Sequence, residues 1–143
     1  MEVTVKTLNE LTTKELLEVL QERVKVFIVE QNCPYQEVDE DDEIAHHVML
    51  KDEGKLVAYT RIMDRGELVT FGRVLVVKEH RAKKLGKKIV EETLTEIKRL
   101  YPNKAIKISA QNYLVDFYAT FGFEVVSEMY LEDDIPHIDM LLK

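Results

Sequence analysis

The chain has 143 residues, a single cysteine, no tryptophan and a formal net charge of −7, with 45% hydrophobic and 33% charged residues. A domain of this size buries about two-thirds of its unfolded surface without disulfides or metals. The lone Cys33 excludes an intramolecular disulfide and a Cys-rich zinc site, and the acidic balance, with no basic stripe carrying interleaved aromatics, argues against nucleic acid as a partner.

No segment approaches the ~18 apolar residues of a membrane span, and Met1-Glu2-Val3-Thr4-Val5-Lys6 lacks the layout of a signal peptide. The expectation is one cytoplasmic domain over residues 1–143, without membrane or metal partners.

In chain order, Val3 and Val5 alternate with polar neighbours and predict a short strand. Thr12 followed by Glu15 is a capping box, opening a helix with Leu16, Leu17, Leu20, Val24, Phe27 and Ile28 on its expected buried side. Pro34 ends it. From Gln36 to Glu43 nearly every residue is acidic; without the central glycine of a calcium loop, this stretch reads as solvated, or as an acidic lip that attracts a cationic substrate. His46–Lys51 and Lys55–Met63 flank Asp52-Glu53-Gly54, the chemistry of a hairpin turn, and Val69–Val77 supplies a third antiparallel strand.

Gly72 to Leu100 reads as strand, tight turn and amphipathic helix. Leu85, Ile89, Val90, Leu94, Ile97 and Leu100 recur at three- and four-residue steps. Lys83, Lys84, Lys87 and Lys88 crowd the helix start, where cations are each unfavourable by roughly 0.3–1 kcal/mol. An anion docked on the free amides there, with Gly86 allowing close approach, explains them better than a solvated face does. Ala105–Ala110 then predicts a buried strand. A short helix bearing Tyr113, Leu114, Phe117, Tyr118 and Phe121 ends at Gly122, and Phe123–Met129 and Ile135–Leu142 predict two closing strands. The order implies a mixed α/β sheet with helices on both faces and the phosphate-type turn at the end of a central strand.

Val76-Val77-Lys78-Glu79-His80-Arg81-Ala82-Lys83-Lys84-Leu85-Gly86 resembles the acyl-CoA pyrophosphate loop of the GCN5-related N-acetyltransferases (GNAT), and Phe117-Tyr118 with Phe121-Gly122-Phe123 resembles their second hallmark. Val26–Tyr35, Asp39, Ala58–Arg61, Gly72–Val74, Ala110-Gln111 and Glu132–Ile138 resemble the ElaA-type subgroup, extending the likeness over most of the chain. In the loop, Ala82 and Lys84 replace two usual glycines; Asp134 replaces another before Ile135-Pro136, and Gln111 stands where the wider family often has Asn.

The resemblance implies a mostly antiparallel GNAT sheet with splayed central strands, and acetyl transfer from acetyl-CoA, the co-substrate, directly to an amine acceptor in a ternary complex. A catalytically silent acyl-CoA-binding or regulatory module is the alternative, and a homodimer is compatible with either. The cofactor-binding residues implied are Val74, Leu75 and Val76 through their backbone, Arg81, Ala82, Lys83, Lys84, Leu85, Gly86 and Lys87 in the loop, and Gln111. Tyr118 takes the general-acid position, with a core aromatic as the bland alternative. Glu30, His47 and His137 are candidates for the base or for substrate positioning. Arg61 and Arg73, in otherwise apolar strands, are expected in the acceptor pocket or in structural ion pairs with Glu30, Glu37 or Asp39.

Overall fold

A computed structural model describes residues 1–143. β1 (Glu2–Lys6) pairs with β2 (His46–Asp52), which continues through β3 (Lys55–Asp64) to β4 (Leu68–Val76), all antiparallel. At the β2–β3 turn both Glu53 and Gly54 have positive φ, as a two-residue hairpin of matching twist requires. β5 (Ala105–Gln111) lies parallel to β4, and β8 (Ile135–Leu142) runs antiparallel to β5. Along the other edge of β8 lie β6 (Glu124–Val125) and β7 (Tyr130–Glu132). The expected long strand over Phe123–Met129 is therefore only two residues in ladder form, and a separate hairpin, β7–β8, supplies the rest.

Two departures from a regular sheet build the site. β4 and β5 pair only at Leu68–Ala105 and Val69–Ile106, so beyond Val69 the two strands diverge and the facing edge of β4 is unpaired. In β4, Arg73 and Val74 together face Thr60, because Gly72 pairs with Arg61 and Leu75 with Tyr59. Arg73 takes φ 51 at this bulge, a left-handed conformation costing on the order of 1 kcal/mol for a residue with a side chain.

Alternation along the strands divides the core between two helical layers. Val48, Leu50, Ala58 and Ile62 pack with Leu85, Ile89, Val90 and Ile97 of α3 (Leu85–Leu100), together with Tyr118 of α4 (Val115–Ala119). Met49, Tyr59, Leu75 and Val77 face Val19 of α1 (Thr13–Arg23) and Val26 and Phe27 beyond it. Each fully buried side chain of this size contributes roughly 1.5–3 kcal/mol.

The Thr12–Glu15 capping box forms in both directions, at 3.1 and 2.9 Å. The expected apolar face of this helix is corrected: Leu17 and Val24 are exposed, while Val19 and Arg23 are buried. From Val24 to Glu30 the chain winds as a π-helix, and Val26 and Phe27 there continue the buried stripe of Val19 and Arg23.

The acidic stretch is likewise only partly solvated: Glu40 and Glu43 are exposed, while Glu37 and Asp42 are buried. It includes a short helix, α2 (Asp41–Ile44), and its carboxylates meet buried arginines. Arg23, fully buried, binds Glu37 through Nε (2.9 Å) and Asp42 through Nη1 (2.7 Å). Arg61 binds Asp39 (2.7 Å) and Asp42 (3.0 Å). Arg73 donates to the Glu37 carbonyl (2.8 Å) and reaches Asp39 (3.3 Å). Buried charges persist only when paired and hydrogen-bonded, and here pairing draws the loop onto the sheet.

Candidate functional site

The divergence of β4 from β5 opens a cleft of about 320 Å³. Its walls come from Gly72, Arg73 and Val74 of β4, Ser109 and Gln111 of β5, and His137 of β8. Phe27 and Gln31 at the end of the π-helix, with Cys33 and Tyr35 beyond, close one side; Tyr113 and Tyr118 close another. A second groove, of about 710 Å³, runs from Val76 over Arg81–Lys87 to Phe117, Thr120 and Phe121 of the α4 region. Val74 lines the first cavity and Val76 the second, so one face of β4 leads from cleft to groove. Phe117 and Tyr118, adjacent on α4, mark the same boundary from the other side.

The groove has a turn with unpaired amides at its floor. Ala82 (φ 68) and Lys84 (φ 59) take the left-handed conformation that a glycine-rich loop adopts there, although neither is glycine. The backbone amides from Ala82 to Lys87 donate to no acceptor in the chain, leaving a concave run of N–H groups at the start of α3. Lys87 and Lys88 lie 3.8 Å from Glu91 and Glu92 one turn on, weak contacts that leave the lysines available to an anion. Lys83 is exposed at the turn and does not line the groove.

Arg81 lines the groove, yet its side chain is otherwise engaged. Its Nη groups bind both oxygens of Glu30, at 2.8 and 3.2 Å, and its Nε donates to the Val76 carbonyl at 3.1 Å. Glu30, a candidate base, lies outside the cleft as the partner of this guanidinium. The Val76 carbonyl is occupied too. Leu75 turns its side chain into the α1-side core, so only its backbone can face a ligand. Gln111 lies in the cleft rather than in the groove.

Tyr118 is 5% exposed among Phe71, Phe117 and Phe123, lines the cleft, and makes no hydrogen bond through its hydroxyl within the chain. Burial, with a smaller contribution from Tyr113, pushes its phenol up to about 12. His137 also lines the cleft. Its Nδ1 lies 2.7 Å from the Ile135 carbonyl, which can only accept, so Nδ1 carries a proton and donates it there. Nε2 lies 3.5 Å from Glu132. His47 is removed from the candidate site: it is buried on the α1 side, with Nδ1 2.6 Å from the Tyr59 hydroxyl and Nε2 3.1 Å from the Asp42 carbonyl. Desolvation lowers its pKa.

Arg61 and Arg73 do line the cleft, and both are held by the carboxylates described above. Reading the sequence alone left out Tyr35, Arg65, Tyr113, Glu132 and Asp133. Tyr35 stacks under Arg73, with Cζ 5.3 Å from the ring centroid, and Arg65 is bound to Asp41 at 2.7 and 2.8 Å. Tyr35, Glu132 and Asp133 had one sequence signal, membership of the two signature segments Val26–Tyr35 and Glu132–Ile138, which lie a hundred residues apart and meet where the Cys33 thiol donates to the Asp133 carbonyl at 3.2 Å; Arg65 and Tyr113 lie outside both segments. No group of three or more His, Cys, Asp or Glu is arranged to hold a metal ion, and no helix is long and apolar enough to cross a membrane.

Residues 10–143 match the family described as Acetyltransferase (GNAT) domain. Protein ElaA of Escherichia coli is 42% identical over 137 residues, covering 92% of this chain and 90% of that protein, and its crystal structure superposes with a TM-score of 0.95 over the whole of both chains. The crystal structure of an acyl-CoA N-acyltransferase from Pseudomonas aeruginosa is similar at 43% identity and a TM-score of 0.94, covering 98% of this chain and 97% of that one. An aminoglycoside 6′-N-acetyltransferase complexed with coenzyme A shares the fold alone, at 13% identity and a TM-score of 0.74, covering 99% and 96%.

Proposed function

The chain belongs to the GNAT acetyltransferase family, whose members are acyl-CoA-dependent N-acyltransferases, and from that premise we propose that it moves the acetyl group of acetyl-CoA to a primary amine by direct attack within a ternary complex. The amine belongs to a small molecule or to a protein. One observation carries the reading: the unpaired edge of β4 leads from a polar cleft into a groove whose turn presents successive free amides. An extended thioester with a diphosphate at one end fits such a path, strand-like along β4 and anionic at α3. A fold relative that is complexed with coenzyme A supports a ligand of this kind.

In this reading the amides of Ala82–Lys87, with Lys84 and Lys87, hold the pyrophosphate, and backbone groups of Val74, Leu75 and Val76 orient the pantetheine and polarise the thioester carbonyl. His137 takes the proton of the incoming ammonium on Nε2, directly or through one water. The amine nitrogen bonds to the carbonyl carbon, the carbon–sulfur bond breaks, Tyr118 donates its proton to the departing thiolate, and the second proton lost from nitrogen returns through solvent to the Tyr118 oxygen. A phenol near 12 keeps that proton at every working pH.

Two measurements test the proposal. Acetyl-CoA at about 100 times its dissociation constant stabilises a fold by about 2.7 kcal/mol, so the melting temperature rises on addition of the cofactor. Free-thiol release across a panel of amines then separates turnover from silent binding. No thermal shift at millimolar acetyl-CoA overturns cofactor binding, and a shift without thiol release from any amine identifies a silent module.

A further inference from the structure

Resting on that reading, we propose that the natural acceptor carries a second cationic group besides the amine that reacts, and no carboxylate. The charges around the cleft lead there. Each arginine that lines it already has a carboxylate partner, Arg61 in Asp39 and Asp42, Arg65 in Asp41, Arg73 in Glu37 and Asp39, although the buried Nε atoms of Arg61 and Arg73 make no hydrogen bond. Arg65 presents both Nη groups to one carboxylate, the two-pronged geometry that an acceptor carboxylate would have to displace. No lining cation is without a carboxylate partner in the chain.

The anions are not matched in the same way. Glu132 has only His137, at 3.5 Å, and the Asp133 carboxylate makes no ion pair or hydrogen bond. Both are exposed on the β7–β8 turn that forms the rim of the cleft. That turn is fixed in place: Asp133 and Asp134 take φ 50 and 63, and the Asp133 carbonyl receives the Cys33 thiol from the opposite wall. Tyr113, 75% exposed, adds an aromatic face to the same cleft. The Tyr118 hydroxyl, on a side chain more than nine-tenths buried and without a hydrogen-bond partner in the chain, belongs to the same cleft, where a ligand group can reach it. A dication therefore meets Tyr118 and His137 with one nitrogen and the carboxylate rim with the other. An amino acid would bring its carboxylate against Glu132 and Asp133, a repulsion that selects against it.

Three amines that share a four-carbon chain test this with the full-length protein: putrescine, butylamine and γ-aminobutyrate. Initial rates of thiol release give kcat/KM for each, and calorimetry on the coenzyme A-saturated protein gives their affinities. The expected order is putrescine about tenfold above butylamine, with γ-aminobutyrate lowest, and a gap that narrows as salt is raised. The double variant Glu132→Gln, Asp133→Asn brings the putrescine-to-butylamine ratio towards one. Equal values for putrescine and butylamine, or a preference for γ-aminobutyrate, overturn the second-cation inference while leaving acyl transfer intact. Where none of the three turns over, the binding order decides, and absence of putrescine binding overturns the inference. Loss of the acetyl-CoA thermal shift as well identifies failure of the underlying reading.

Discussion

Glu30 and Arg81, fifty-one residues apart, form a two-pronged ion pair at 2.8 and 3.2 Å, and the Nε of the same arginine holds the last carbonyl of β4. The pair ties the end of the π-helix to the anion turn. It thereby joins the wall of the acceptor cleft to the cofactor groove, and it places Glu30 in the role of an anchor. Both side chains are well exposed, so the contact is worth at most about 1 kcal/mol. Glu30→Gln and Arg81→Gln are each expected to weaken acetyl-CoA binding about two- to fivefold by calorimetry, and the double variant should be no weaker than either single one. kcat should stay within about twofold for Glu30→Gln; a hundredfold fall would restore Glu30 as the base.

Tyr118→Phe removes one hydroxyl that touches nothing else in the chain. The ring packing with Phe71, Phe117 and Phe123 survives, so the melting temperature should be unchanged or slightly higher. kcat should fall about 10²-fold at constant KM for acetyl-CoA, the range expected when a positioned proton donor is lost. Because burial pushes the phenol up to about 12, the wild-type rate should show no alkaline limb from this group below about pH 11. An unimpaired variant assigns the thiolate proton to solvent.

Arg23 is the most consequential buried charge. Arg23→Met leaves Glu37 and Asp42 as buried carboxylates with fewer partners, a loss of roughly 3–5 kcal/mol. The melting temperature should drop by about 10–15 °C for a chain of this length. Chemical denaturation with an unchanged m-value would confirm a native-state effect.

The sequence made the strands up to β5, the capping box, the hairpin turn and α3 legible because each is local: alternation, cap spacing and turn chemistry act within a few residues. The polar network was not legible. Arg23 is a residue type normally left in solvent, and its burial depends on carboxylates at positions 37 and 42 that no local pattern connects to it. Glu37, Asp39 and Asp42 read as a charge run because their partners, at positions 23, 61 and 73, are remote in the chain. The bland pairing weighed for Arg61 and Arg73 is the one their geometry presents, and it coexists with their place on the cleft wall. Tyr113 is exposed, because the segment that the sequence predicts as one short helix begins as a tighter turn, Asn112–Leu114, before α4.

The loop departs from the family's glycines in residue type and keeps their backbone conformation. At Ala82, φ 68 costs about 1–2 kcal/mol, while glycine there would cost roughly 0.5–1 kcal/mol in additional unfolded-state entropy. Ala82→Gly should therefore raise the unfolding free energy by about 0.5 kcal/mol and leave the dissociation constant of acetyl-CoA within about twofold. A large loss of affinity would mean that the methyl group itself contacts the cofactor.

Acid stability should fall in two stages, and the groups responsible differ. Burial lowers the His47 pKa below its usual 6.5, with the Asp42 carbonyl partly opposing. The unfolded chain then binds a proton that the folded chain refuses, so this contribution is present above about pH 6.5 and declines as pH falls through the window below it. Burial disfavours the charge on Asp42, but the hydrogen bonds and charge of Arg23, with the Asp39 amide and Arg61, outweigh it and hold the carboxyl at about 2. Glu15 is likewise held at about 2, by Lys51, Lys6 and the Thr12 amide acting against its burial. For both carboxylates the stability is present above about pH 4.5 and is lost as pH falls towards 2. Urea unfolding from neutral pH to about pH 3 should show a shallow decline followed by a steep one. His47→Gln should flatten the first stage and keep the second; a variant that keeps both stages would mean that another group, not the imidazole bonded to Tyr59, accounts for the loss near pH 6.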